Sequence, residues 1–444
     1  MTNHDITLHP DEALNGNLED CARLLFPQKG ESKPRLRFRG FEGEWSRKMI
    51  GTIGMTYSGL SGKGKNDFGH GDAKYITFLN VLNNVQIDCS RFEKVEIREG
   101  ENQNKVHKGD LLFNTSSETP EEVAMCAVMG EEIDNLYLNS FCFGFRLVVP
   151  DVDPLFLAYQ MRSPYGRSLM SFIAQGATRY NLPKKEFVKT EIIIPKDIEE
   201  QRQIASFLCH LDEQIAVKQR QLERLKQMKL ACFGSLFPDN QSITPPLRFK
   251  GFSGEWETVL IKDAFDVRNG YTPSKYNDKY WTNGTIPWFR IEDIRDKGGI
   301  LKDAYQKVTP LAVKGSGLFK KNSIIMSTSA TIGVHAMLGV DSLANQRFTN
   351  FTIRKSLEDS FDPYFIYYAF FKMDEWAMNN TNSGGLLAVD IPGLLMLPFP
   401  KPSISEQRLI SSFLLNLDTQ IDSLDKMLLG LMQMKKACLN QMIA

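Results

Sequence analysis

The residues with the most chemistry within reach lie in Gly59-Leu60-Ser61-Gly62-Lys63-Gly64-Lys65-Asn66, one residue short of a phosphate-binding loop. Such a loop needs a Ser or Thr after its lysine to hold magnesium, and a helix N-terminus aimed at the phosphate. Here Asn66 takes the place of the hydroxyl, and Asp67-Phe68-Gly69-His70-Gly71 follows, which is not a helix start. A flexible Gly/Ser/Lys loop suited to a DNA groove or backbone is the better reading, with a merely solvated loop as its alternative. The six histidines, His4, His9, His70, His107, His210 and His335, show neither metal-ligand spacing nor an evident Ser or Cys partner.

The stretch richest in aromatic and polar loop character runs from Gly270 to Trp288, and its partner earlier in the chain runs from Thr56 to Ile76. Lysines with Ser, Thr and Asn on loops offer phosphate contacts and base-edge hydrogen bonds, the two contact classes that DNA recognition requires. A second loop pair, Asn114-Thr115-Ser116-Ser117 and Ser327-Thr328-Ser329, follows the last apolar residue of a strand in each half. The candidate DNA contacts are therefore Ser58, Ser61, Lys63, Lys65, Asn66, Thr115, Ser116, Ser117, Thr178, Arg179 and Tyr180 in the first half. In the second they are Tyr271, Thr272, Ser274, Lys275, Tyr276, Ser327, Thr328 and Ser329. Trp281 and Trp288 fit a core role better than a contact role. Asp362-Pro363-Tyr364-Phe365 is faintly like a motif of amino-methyltransferases, but the matched Asp153-Pro154-Leu155-Phe156 is not, so the shared element is a turn before a helix. No catalytic residue and no metal ligand is assigned.

Two long helices must position these loops. One runs from about Ile198 to Phe233 and the other from about Ile404 to the C-terminus, and with Gln201 placed over Gln407 they stay in step without a gap. Asp212 then falls on Asp418 and Lys229 on Lys435. Ile410, Leu414, Leu417, Ile421, Leu424, Leu428 and Leu431 alternate steps of four and three, the narrow seam of a coiled coil. The first copy keeps that seam at Ile204, Leu208, Leu211, Ile215, Leu222 and Leu225, with Lys218 interrupting it. A capping box is expected at each start, Asp197 with Glu200 and Ser403 with Glu406. Neither helix can bury a seam alone, so the two are expected to pair with each other.

The repeat extends beyond the helices. Lys33–Trp45 (KPRLRFRGFEGEW) returns as Thr244–Trp256 (TPPLRFKGFSGEW), and the same offset carries Leu25-Phe26-Pro27 onto Leu236-Phe237-Pro238. The order is a lead-in (1–23), a globular segment (24–197), a long helix (198–235), a second globular segment (236–402) and a second long helix (403–444). Both segments read as α+β with many loops. Their frames match while their middles diverge, as suits one scaffold presenting two recognition surfaces. The expected fold is α+β with two globular domains separated by two long antiparallel helices in a coiled coil, a pseudo-two-fold internal repeat.

The totals exclude little. The 444 residues are 42% hydrophobic and 24% charged with zero net charge, which fits a folded soluble protein and argues against a wholly basic surface. Composition alone would not suggest nucleic acid. Seven scattered cysteines with no C-x-x-C pair indicate neither a disulfide framework nor a zinc site, and the N-terminus lacks a signal pattern. A reducing cytoplasm is the simplest setting, with no membrane span.

Gly270-x-Thr-Pro-Ser with a downstream Tyr280-Trp-x-Asn-Gly-x-Ile-Pro-Trp288, the strand-end Ser327-Thr328-Ser329 followed by Ile332-Gly333, and above all Pro195-x-x-x-x-Glu200-Gln201-Arg202 leading into a long helix resemble the specificity subunit of a type I restriction-modification system. The resemblance covers essentially the whole chain. In the first half Thr56–Gly71 replaces the G-x-T-P loop and no I-P-W is present. The resemblance implies two target recognition domains, each reading one half of a split double-stranded DNA sequence. The paired helices would space them and dock two methyltransferase subunits, which restriction/translocase subunits then join. S-adenosylmethionine, ATP and Mg2+ would belong to those partners, with no cofactor in this chain. A coiled-coil scaffold holding two protein-binding domains, or a solitary specificity subunit without its own methyltransferase, are the competing readings.

Overall fold

In a computed structural model of the chain the described residues are 6–7, 34, 36–238, 242–382 and 387–441. Most of the lead-in and the Leu25-Phe26-Pro27 match lie outside them. The chain forms two compact units, Met1–Arg220 with Lys426–Ala444, and Gln221–Asp425. Each long helix is continuous, Ile198–Leu236 and Ile404–Gln441, so each contributes its residues to both units.

The first unit is built on a four-stranded antiparallel sheet in the order Gly54–Ser58, Cys142–Leu147, Leu111–Asn114, Cys126–Val128. A smaller sheet sets Phe68–Ile76 between Leu136–Leu138, parallel, and Phe92–Val95, antiparallel. The second unit repeats the plan. Its main sheet runs Phe265–Asn269, Phe348–Ile353, Ile324–Ser327, His335–Leu338, Ile300–Leu301. Its smaller one sets Ile286–Phe289 between Lys307–Val308 and Leu343–Ala344. In each unit a two-stranded ribbon leads into the long helix: Glu191–Ile194 on Ser46–Met49, and Pro398–Lys401 on Glu257–Leu260.

The matched motifs join each sheet to its helix by the same contacts. Gln201 accepts from the Asp153 amide at 2.8 Å and donates to the carbonyls of Asp151 and Pro195 at 3.0 and 2.9 Å. Gln407 does the same with Asp362 at 2.9 Å, Ser360 at 2.9 Å and Pro402 at 2.8 Å. Both glutamines are fully buried, so every polar atom needs the partner it has. Asp153 and Asp362 each cap the helix that follows, accepting from the amides of Phe156 and Phe365 at 2.8 and 2.9 Å. The turn-before-helix reading of these two motifs is the structure's own.

The capping boxes form only in half. Asp197 accepts from the Glu199 amide at 2.8 Å and Ser403 from the Glu406 amide at 3.4 Å, but neither glutamate reaches back. Glu200 instead takes Arg37 Nε and Nη2 at 2.6 and 2.8 Å, and Glu406 takes Arg248 at 2.8 and 2.7 Å. Both carboxylates are buried, and a buried carboxylate gains more from a fixed guanidinium fork than from one backbone amide. The L-R-F motif and the E-Q-R motif are thus two ends of one clamp.

Most seam positions are buried, and their N-terminal members join the cores of the units: Ile204, Leu208 and Leu211 cluster with Trp45, Phe156 and Tyr159, and Ile410 and Leu414 with Trp256 and Phe365. Ile204, Leu208, Leu211, Ile215 and Leu222 are buried in one copy, and Ile410, Leu414, Leu417 and Ile421 in the other. Leu225, Leu424, Leu428 and Leu431 are half-buried, and Lys218 sits half-buried at its seam position. In the second unit the ion pairs Lys229–Asp418 at 2.5 Å and Lys226–Asp425 at 3.8 Å run in opposite senses along the two helices, which fixes the pairing as antiparallel. Lys435 pairs with Asp212 in the first unit. Each aspartate also accepts from a core tyrosine, Asp212 from Tyr159 at 2.8 Å and Asp418 from Tyr368 at 2.7 Å. Among the described residues no helix is long and apolar enough to cross a membrane, and no three His, Cys, Asp or Glu side chains group as a metal site.

Candidate nucleic-acid interface

Both units build the same frame at one end of the main sheet. A Cβ on Gly59 would lie 2.1 Å from the Asn139 carbonyl oxygen, and one on Gly270 would lie 2.1 Å from that of Asn345, so only glycine allows the approach. The chain is held there by Gly59 N–H to Cys142 O at 3.3 Å and Leu60 N–H to Leu138 O at 2.7 Å. Its counterpart uses Gly270 to Phe348 at 2.8 Å and Tyr271 to Ala344 at 2.9 Å. Beside it Thr115 N–H donates to Phe141 O at 2.9 Å and Leu182 N–H to Thr115 O at 2.9 Å. In the second unit Thr328 N–H donates to Arg347 O at 3.0 Å and Val389 N–H to Thr328 O at 2.9 Å. Three loops from distant parts of each half are stitched together in the same order.

In the first unit Ser58, Ser61, Lys65, Asn66, Thr178 and Arg179 are exposed, and Thr115, Ser117 and Tyr180 are half-buried. The 115–117 loop and Arg179–Tyr180 come together: Tyr180 pairs with Ser117, and Arg179 Nε donates to the Ser116 hydroxyl at 3.2 Å. Ser116 is itself buried, so its side chain orients Arg179 and does not face outward. Lys63 is a clearer correction. Its side chain is 2% exposed, with its ammonium on the Glu96 carbonyl at 2.6 Å and paired to Glu101, so it braces the loop from inside. Ser61 is tied to Gln103, whose amide oxygen accepts from the Ser61 N–H at 3.1 Å.

In the second unit Ser274, Lys275 and Tyr276 are exposed, Tyr276 completely, while Thr272 and Ser329 are half-buried. Tyr271 is not available: its hydroxyl donates to Ala312 O at 3.0 Å and accepts from the Lys314 amide at 3.0 Å. Ser327 and Thr328 are buried as well, because the strand Ile324–Ser327 is interior over its whole length. The Thr328 hydroxyl shares a hydrogen bond with that of Thr349 at 2.9 Å, and Thr349 donates to Asn269 Oδ1 at 3.0 Å. These hydroxyls tie strand ends together. Trp288 is buried edge-on to Trp281 at 5.1 Å, as a core residue should be.

Several residues at the site escape a reading of the sequence. Lys184 donates to the Ser58 hydroxyl at 3.2 Å over the ring of Phe143, and partial burial holds its ammonium below the usual lysine value. The candidates Thr272 and Lys275 line a cleft of about 260 Å³ with Arg290, Gln346 and Arg347, which nothing in the sequence singles out, and with Glu292, leaving it net basic. The turns Asn139–Phe141 and Asn345–Arg347 join the site through long-range contacts, the glycine approaches and the Thr115 and Thr328 amides, and asparagine is the one residue type they share in register. The arrangement offers amide, hydroxyl and cationic donors from loops over a rigid sheet, the equipment for binding a phosphate backbone and base edges.

The family described as type I restriction modification DNA specificity domain matches the chain twice, over residues 43–227 and 253–429. The chain is 46% identical over 152 residues to the type I restriction enzyme EcoprrI specificity subunit of Escherichia coli, covering 34% of this chain and 37% of that one. It is 29% identical over 177 residues to the MjaIX specificity subunit of Methanocaldococcus jannaschii, covering 39% and 40%. The matched stretches thus span well under two thirds of these relatives. The crystal structure of the type I restriction-modification system S subunit from M. genitalium superposes with a TM-score of 0.58 at 14% identity, over 93% of this chain and 99% of that one, a likeness of fold. With the family matched in both halves, the chain belongs to the type I restriction-modification DNA specificity family.

Proposed function

We propose that this chain is the specificity subunit of a type I restriction-modification complex, each unit reading one half of a bipartite double-stranded DNA target. One observation carries the reading: an identical frame of glycine approach, clamp and capped helix is built twice, around exposed loop residues that do not match between the copies. A fold duplicated for stability alone would have no reason to hold its frame and vary its surface. In this reading the two long helices set the gap between half-sites and dock two methyltransferase subunits, which restriction/translocase subunits then join. S-adenosylmethionine, ATP and Mg2+ act on those partners, in the cytoplasm, and the chain itself carries no catalytic step.

The test is to replace residues 40–195 with the corresponding domain of another specificity subunit and to sequence the methylome of a strain carrying the hybrid with its methyltransferase. One half of the methylated sequence should change and the other stay. Both halves changing, neither changing, or no bipartite methylated motif with the unaltered chain would overturn it.

A further inference from the structure

We propose that the turns Asn139–Phe141 and Asn345–Arg347 are the specificity-determining elements of the two units, with Ser140 and Phe141 in one and Gln346 and Arg347 in the other meeting the base edges. The proposal rests on the DNA-reading function above and assigns residues within it.

The two turns are the same piece of backbone. Asn139 Oδ1 accepts from the Phe141 N–H at 2.8 Å and Asn345 Oδ1 from the Arg347 N–H at 3.0 Å. The Asn139 carbonyl accepts from Cys142 at 3.0 Å and that of Asn345 from Phe348 at 3.1 Å. The third residue's carbonyl is taken by Thr115 in one unit and Thr328 in the other, and the glycine approach presses on the asparagine from below. These backbone groups are spent inside the frame, so the turn offers its second and third side chains. All four are exposed, Phe141 to 58%.

What they offer differs. The Arg347 guanidinium makes no hydrogen bond or ion pair with another described residue, and an arginine so presented is the commonest reader of guanine O6 and N7. The Gln346 side-chain oxygen accepts from the Thr272 hydroxyl, which orients the amide and leaves its NH2 to donate to adenine N7 and the second lone pair of its oxygen to accept from N6. Phe141 has no polar group to give. An exposed phenylalanine at the same position suits a thymine methyl or a wedge against a base step. One frame with two different side-chain pairs is how two units of one chain would come to read unlike half-sites.

The experiment uses the full chain assembled with its methyltransferase subunits and reads the methylated motif of Arg347→Ala, Arg347→Lys and Phe141→Ala. Both arginine variants should relax base preference at one position of the second unit's half-site, by roughly 5- to 150-fold in discrimination, the range for loss of a bidentate contact. Phe141→Ala should act only on the other half-site. A Gln346→Ser/Arg347→Phe exchange should shift preference at that position, with thermal unfolding measured alongside to verify the fold. An unaltered motif in every variant overturns the assignment while leaving the function above standing. A uniform loss of methylation at all sequences, with preference unchanged, also overturns it, since it marks a phosphate contact. A wild-type complex with no bipartite motif overturns both.

Discussion

Removing Arg37 should harm the first unit more than neutralising Glu200, and the structure says by how much. Glu200 is 1% exposed and holds two guanidinium bonds, at 2.6 and 2.8 Å, with the Trp45 indole at 3.4 Å as its only other side-chain donor among the described residues. Arg37 is 16% exposed and also donates to the carbonyls of Gly43 and Glu42 at 2.7 and 3.2 Å. Arg37→Ala therefore strands a buried carboxylate, and the usual cost of breaking such a pair, reduced for the partial exposure of this one, is about 3 kcal/mol. Glu200→Gln keeps an acceptor in place and leaves the guanidinium its two carbonyls, so about 1–2 kcal/mol is expected. For a unit of this size Arg37→Ala should lower Tm by roughly 6–12 °C. Calorimetry of the full chain reads this, with hydrogen exchange on Glu191–Ile194 and Pro398–Lys401 assigning the transition to the first unit or the second. Arg248→Ala should reproduce the effect in the second unit. A Glu200→Gln cost equal to that of Arg37→Ala, or an Arg37→Ala cost under about 1 kcal/mol, would show that no buried carboxylate is stranded.

One heptad inserted into the first long helix should lengthen the gap in the methylated sequence or abolish methylation, and an unchanged gap in an active complex would show that the helix does not set it. Gly270→Ala forces a Cβ to within 2.1 Å of the Asn345 carbonyl, parting the frame. It should cost about 1–3 kcal/mol and weaken DNA binding, both measured on the same preparation. Burial pushes the Cys142 thiol up to about 12 and Cys438 to about 11, and raises Cys126 further. All three stay protonated at pH 8, so iodoacetamide should modify half-buried Cys232 before any of them and reach those three only after unfolding, as peptide mass spectrometry would show.

The helices were legible because a seven-residue period is local, and the strands because Ile324–Ser327 or Cys142–Leu147 read as short apolar runs between turn residues. The matched flanks told that the frame is built twice. The sequence misled where a side chain's partner is far along the chain. Glu200 reads as a cap residue three positions into a helix, yet its partner is 163 residues away. Lys63 reads as a loop cation because nothing nearby announces Glu101 or the Glu96 carbonyl. Ser327 and Thr328 look like strand-end donors, and only the neighbouring strand with Thr349 makes them interior. Periodicity states which face is buried; it does not state which loops the sheet gathers at its end.

The aspartate–lysine pairs along the helices carry one more consequence. The first unit closes with Asp212 of one helix and Lys435 of the other, and the second with Asp418 and Lys229, the same two positions with the copies exchanged. A single helix copy thus bears both members of the contact and is complementary to its own duplicate. That reciprocity is the contact pattern of an isologous interface, held here within one chain. The two copies thereby constrain each other: a charge altered at Asp212 must be answered at Lys435, in the other half of the sequence.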